Sequence, residues 1–316
     1  YGSYKAPREL VWIFGMTIYV ALMAEAFLGY VLPWGQMSYW GAQVIISLFG
    51  AIPVVGGDIV EWIRGDYLIS GITLNRFMSL HVVAMPIILI ALVVMHIIAL
   101  HDVGSNNPDG VSIKKYKDEN GNPIDGIPFY PYFVIHDLVP IVVFLFVFCA
   151  ILFFMPEMGG YFLEYANFEI ANSLKTPEHI APVWYFTPYY SMLRAVPDKL
   201  GGFITMAAAI AILFVLPWLD RSPVNSMRYK GVFSRIGILV FAACFIILGY
   251  LGVKAPTESR TLLAQICTIL YFAYFIGMYF WTRMETTKPV PDRITMDGGM
   301  GVWKTIGAFL FVALMV

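Results

Sequence analysis

SLHVVAMPIILIALVVMHIIAL, residues 79–100, decides the fold. It holds no acid, no lysine and no arginine, and about 20 such residues are enough for a helix to cross the hydrocarbon core of a bilayer. Five more runs of similar character follow from the same criterion: 10–34, 133–155, 201–219, 236–253 and 261–281. A shorter apolar run, 302–316, within the tail 295–316, is a possible seventh span. The composition agrees, since 59% of the 316 residues are hydrophobic and 13% charged, against about a quarter charged in soluble domains. The expected architecture is an all-α integral membrane bundle. Twenty Lys+Arg against twenty-one Asp+Glu leave a net charge of -1, so there is no basic field to attract nucleic acid. The three cysteines stand singly in apolar runs, without metal-binding spacing, and read as small core side chains.

If the six runs alternate across the membrane, Lys5, Arg8, Lys114, Lys115, Lys117, Arg221, Arg228, Lys230, Arg235, Arg283, Lys288 and Arg293 share one side. By the positive-inside rule that side is cytoplasmic, which puts the amino end of the chain there. The two long connections on the other side, 36–78 and 156–200, are unusually apolar. Short interfacial helices are expected in them, around 42–49 and 59–63 in the first. The second carries Trp184, Tyr185, Phe186, Tyr189 and Tyr190, which suit either an aromatic belt or an ordered functional loop.

His81 and His96 stand in one span. At 1.5 Å and 100° per residue they lie about 22 Å apart along the axis, with an angular offset of about 60°. Two imidazoles on one face at two depths suit two haem irons, or a proton relay in a transporter; the residues alone leave both open. His101 lies about 140° further round, near the cytoplasmic surface. Asp137 opens the next span at similar depth, so the two are either interfacial polar residues or a proton-delivery pair.

Several long motifs then carry a resemblance: YGSYKAPREL (1–10), GYVLPWGQMSYWGA (29–42), TLNRFMSLH (73–81), HIIALHDVGSNNPDG (96–110), IPFYPYFVIHD (127–137) and APVWYFTPYYSMLRAVPDKLGG (181–202). In these the chain resembles cytochrome b of the ubiquinol:cytochrome c oxidoreductase (cytochrome bc) complexes, proteobacterial type, over residues 1 to about 294. The resemblance implies a haem-binding part, 1–125, a C-terminal part, 126–294, and an unassigned tail, 295–316. It also implies two further helices before Tyr1, the second of which carries the opposing histidines.

The resemblance further implies two haem b groups, with His81 a ligand of the low-potential and His96 of the high-potential iron. Gly29 would admit the first macrocycle, and Ser3, Trp12, Gly15 and Asn106 would line the second. Phe27, Tyr30, Gly41, Pro182, Tyr185 and Tyr190 would bound an outer quinol-oxidation pocket. His101, Ser105 and Asp137 would serve an inner quinone-reduction pocket. Implied partners are a Rieske iron-sulfur subunit, a c-type cytochrome, lipid and quinone, in a complex that dimerises in the bacterial cytoplasmic membrane. Many relatives carry glutamate where Val183 stands, as a quinol-proton acceptor, and valine cannot take that proton. Glu178 and Glu25 are the candidate substitutes. Outside the resemblance, a proton-relaying transporter and a haem-less scaffold remain the competing classes.

Overall fold

The computed structural model describes residues 1–160 and 164–295, and among these it is helical apart from two isolated bridges. The tail expected as a seventh span lies outside the described residues beyond Thr295. Five helices are long and apolar enough to cross a membrane: Glu9–Val31, Gly71–Val103, Phe129–Phe154, Val232–Val253 and Glu258–Met284.

In chain order α1 is Glu9–Val31, followed by two short helices, α2 (Gln36–Phe49) and α3 (Gly56–Arg64). These are the short helices expected in the first long connection, and both are longer than the apolar runs that announced them. The histidine span begins well before residue 79. It opens as α4 (Gly71–Ser79), whose first turn Ser70 and Thr73 close as a capping box. It widens through a π turn at Leu80–Ala84 and continues as α5 (Met85–Val103). Pro86 gives the physical reason for the π turn. A proline in a helix has no N–H to donate and its ring meets the carbonyl four residues back. Here the backbone N–H of Met85 reaches to the Leu80 carbonyl, five residues back.

α6 (Val134–Phe154) buries none of its residues, and its principal packing partner is the short turn Phe129–Phe133 that leads into it. Cys149, expected as a core side chain, is exposed on this helix, whereas Cys244 and Cys267 are buried as expected. α7 (Thr187–Ala195) and α8 (Lys199–Phe214) follow. The run expected to continue to 219 breaks at Val215, and only the single turn α9 (Leu216–Leu219) resumes it. Pro217 accounts for the break, because it donates no bond to the Leu213 carbonyl four residues back and its ring crowds that carbonyl. α10 (Val232–Val253) and α11 (Glu258–Met284) complete the bundle.

Buried side chains gather in two groups. Leu28, Val31, Tyr39, Ile46, Ile69 and Phe77 join α1, α2 and α4. Tyr189, Met192, Leu248, Tyr271 and Phe275 join α7, α10 and α11, with Tyr19 and Met23 of α1 packed against them.

One end of the bundle collects most of the polar ties. Arg8 donates to the Gly104 and Ser105 carbonyls at 2.8 and 2.9 Å. Lys5 and Lys230 pair with Asp220, which also accepts from the Tyr4 hydroxyl at 2.6 Å. Asp109 accepts from Tyr229 at 2.6 Å, from Arg228 at 3.0 Å, and from the Thr295 backbone and hydroxyl at 3.0 Å each. Burial of Asp109 works against its charge, but the bonds from Tyr229, Thr295 and Arg228 outweigh it and hold its carboxyl down at about 2. The segments that the charge count assigned to one side, 1–8, 104–128 and 220–231, are therefore tied together in space.

Candidate functional site

α1 packs along the α4–α5 span, and glycines on α1 face the two histidines. A Cβ built on Gly29 would lie 2.5 Å from Cε1 of His81 and 3.0 Å from each ring nitrogen. On Gly15 it would lie 3.4 Å from Cε1 of His96. The two glycines are fourteen residues apart and the histidines fifteen. The π turn absorbs the difference, since it takes one more residue per turn than the α-helix around it. Both rings thus meet the same face of α1 at two depths, as the spacing predicted.

The Nδ1 atom of His81 is held at 3.1 Å by the Glu25 carbonyl and at 3.0 Å by its carboxylate. With the Nδ1 proton given to Glu25, Nε2 keeps the lone pair that a metal needs. Glu25 sits one turn before Gly29 on α1, as expected, but it is turned to the imidazole and not to the cavity described below. The His96 Nδ1 is buried with no partner. Among the described residues no three His, Cys, Asp or Glu side chains converge, so each histidine offers a single ligand. An imidazole with an unpaired nitrogen at each of two depths could hold one haem iron apiece.

The other residues expected beside His96 are partly gathered. Asn106 donates to the Ser3 hydroxyl at 3.2 Å and to the Tyr1 carbonyl at 2.9 Å. The Trp12 indole donates to the Leu213 carbonyl at 2.7 Å and packs edge-on against Tyr4.

At the opposite end a cavity of about 910 Å³ opens among α1, α2, α4, the 180–190 segment and α8. Phe27, Tyr30, Gly41, Pro182 and Tyr190 all line it, together with Val183, Phe186 and Tyr189. The aromatic cluster of this loop is therefore largely a cavity wall, although Trp184 projects outward at 63% exposure. Tyr185 is not in the wall. Its ring packs on Phe186, which is, at a centroid distance of 4.8 Å. Leu80, the chain neighbour of His81, lines the cavity too. An added Cβ at Gly41 meets nothing within 4 Å, so the protein leaves that space free. Gly41→Ala is accordingly expected to keep the fold while raising the KM for a bulky cavity ligand, measured by steady-state kinetics.

Two sequence candidates lie elsewhere. Glu178 is exposed and outside the cavity wall. At the amino-end face His101, Ser105 and Asp137 are all exposed, and no hydrogen bond or ion pair joins their side chains among the described residues. The structure brings the outer set together and leaves the inner set open. One acid that sequence reasoning passed over is bonded to a residue of the cavity wall: Glu164 accepts a hydrogen bond from the Tyr30 hydroxyl at 2.9 Å.

Comparison with known proteins follows the same lines. Residues 1–188 match the family model described as cytochrome b(N-terminal)/b6/petB, and residues 170–272 match cytochrome b(C-terminal)/b6/petD. The cytochrome b of Allochromatium vinosum is 55% identical over 305 residues, covering 93% of this chain and 73% of that protein. The cytochrome b of Rhodospirillum rubrum is 48% identical over 298 residues, covering 93% and 70%. A chain of a structure described as a hyperthermophilic respiratory Complex III superposes with a TM-score of 0.82 at 37% identity, over 90% of this chain and 73% of that one. With two glycine-cleared histidines on one span, a cavity beside them and both family models matched in order, this chain belongs to the cytochrome b family.

Proposed function

We propose that the chain is the cytochrome b subunit of a bacterial quinol:cytochrome c oxidoreductase, working with a Rieske iron-sulfur subunit and a c-type cytochrome in a dimeric complex of the cytoplasmic membrane. The observation that carries this reading is the cavity whose wall includes Leu80, adjacent in the chain to His81. Apolar walls of Phe27, Val183, Phe186 and Tyr189 suit a quinol ring and its tail and exclude water from them. Tyr30 supplies a hydroxyl at the cavity edge.

His81 and His96 would each give one axial ligand, and Glu25 fixes the His81 ring so that Nε2 presents to the iron. Bound haem b supplies one-electron carriers at two depths of the membrane. At the far end His101, Ser105 and Asp137 surround an exposed surface where quinone is reduced, with His101 and Asp137 delivering protons. Quinol oxidation on one side and quinone reduction on the other release protons outside and take them up inside. The basic residues of 1–8, 104–128 and 220–231 support a cytoplasmic placement of the His96 end. We assign 1–125 to haem binding and 126–294 to the second part of the subunit.

A redox difference spectrum of the intact complex, recorded alongside quinol-dependent reduction of cytochrome c, tests the reading. Two b-type bands and an inhibitor-sensitive rate are expected, and absence of both bands would overturn it.

A further inference from the structure

We propose that Tyr30 and Glu164 together form the proton exit from the outer cavity, with the Glu164 carboxylate as the acceptor. The proposal rests on the quinol-oxidation reading above. Val183 lines the cavity and cannot take a proton, Glu178 is exposed away from the wall, and Glu25 is outside the wall, with its carbonyl and Oε1 on His81 and its Oε2 buried without a partner. Glu164 is the acid that remains in contact with a cavity residue: its Oε2 accepts from the Tyr30 hydroxyl at 2.9 Å.

The position of Glu164 is fixed from behind. It precedes a short turn, Tyr165–Phe168, that is stitched to the start of α2. Asn167 Oδ1 accepts from the Ser38 backbone N–H at 2.8 Å, and the Gln36 N–H donates to the Glu169 carbonyl at 2.9 Å. The Asn167 N–H donates to the Glu164 carbonyl at 2.9 Å. Glu164 itself is half-buried, with its Oε2 on the Tyr30 hydroxyl.

The step balances with Tyr30 neutral before and after. One quinol O–H breaks as its proton passes to the Tyr30 oxygen, while the Tyr30 O–H proton passes to Glu164 Oε2. The accompanying electron leaves to the iron-sulfur partner, a one-electron acceptor, and Glu164 then releases its proton to water. This route carries one of the two quinol protons. A residue one hydroxyl removed from the substrate can serve in this way because proton transfer needs only a continuous hydrogen bond at about 2.6–3.2 Å.

The test uses the intact complex with the variants Glu164→Gln, Glu164→Asp, Tyr30→Phe and the double Glu164→Gln/Tyr30→Phe. Glu164→Gln keeps a neutral hydrogen-bonding side chain, and is expected to lower kcat for quinol oxidation by about 10²-fold with KM and haem content unchanged. Glu164→Asp restores most of the rate. The double variant is no slower than the slower single one, since both remove the same route. An unchanged kcat in Glu164→Gln, or a double-variant loss equal to the product of the single losses, would overturn the relay while leaving the wild type active. A wild-type complex with no quinol-dependent rate would instead overturn the function on which the relay rests.

Discussion

Replacing Gly29 by alanine is expected to remove the haem at His81, while the same change at Gly15 leaves the haem at His96 in place. The difference lies in what the new methyl group meets. At Gly29 it would be 2.5 Å from Cε1 of His81 and 3.0 Å from both ring nitrogens, closer than real contacts allow. The imidazole must turn away, and it is not free to do so, because Nδ1 is held by both the carbonyl and the carboxylate of Glu25. Breaking those bonds costs about 1–3 kcal/mol each where a charged group is involved, and the turned ring no longer offers Nε2 in place. At Gly15 the nearest atom is 3.4 Å away, a tight contact that a small shift relieves. Alanine is the better helix former by about 1 kcal/mol, so loss at Gly29 cannot be put down to a weakened α1. Redox difference spectra of the two variants should show one b-type band missing in the first and both present in the second.

Asp220→Ala is expected to destabilise the subunit by about 3–5 kcal/mol, the range for a buried charge left without its partner. The Lys230 side chain is 3% exposed and the Asp220 side chain 0%. Lys5 and the Tyr4 hydroxyl converge on the same carboxylate. Removing the carboxylate strands the Lys230 ammonium in a site closed to water. Burial by itself would raise the Asp220 carboxyl, but the Lys230 charge and hydrogen bond, the Tyr4 hydroxyl and the Lys5 charge outweigh it and hold it below the ordinary range. A depressed folded value stabilises the protein above the unfolded carboxylate value of about 4 and is lost as pH falls through the folded one. Stability should therefore decline on acidification in the wild type and decline less in Asp220→Ala. Thermal loss of the haem spectrum, followed against pH, measures both effects. Asp292, whose partner Lys115 is 55% exposed, provides the contrast: its replacement by alanine should leave that melting curve unmoved.

What the sequence made legible was whatever repeats locally. Apolar runs located the spans because length and hydropathy suffice for that. Gly29 entered only through the resemblance, as a position where a missing Cβ admits a close approach; that the close approach involves the His81 ring itself was not legible. Pro86 and Pro217 were equally visible, yet their effects were not predicted. The first widened the helix around His81 and the second cut the run at 201–219 short. A proline states that a bond is missing; it does not state how the chain makes good the loss. Glu164 was not legible at all. Its partner Tyr30 is 134 residues away, and the bridge between Gly35 and Ile170, the Asn167 ties and the backbone bonds of Gln36 and Ala171 bring the two together. The inner set of His101, Ser105 and Asp137 was read from motifs, and the helix that carries Asp137 packs too little against the rest to unite them.

The π turn at Leu80–Ala84 takes up one residue within a single turn. In a regular helix one extra residue rotates everything beyond it by about 100°, which would swing His96 off Gly15 while His81 stayed on Gly29. Here the surplus is confined to a single wide turn, and both pairings hold. Both pairings, His81 with Gly29 and His96 with Gly15, therefore depend on where this one wide turn takes up the extra residue.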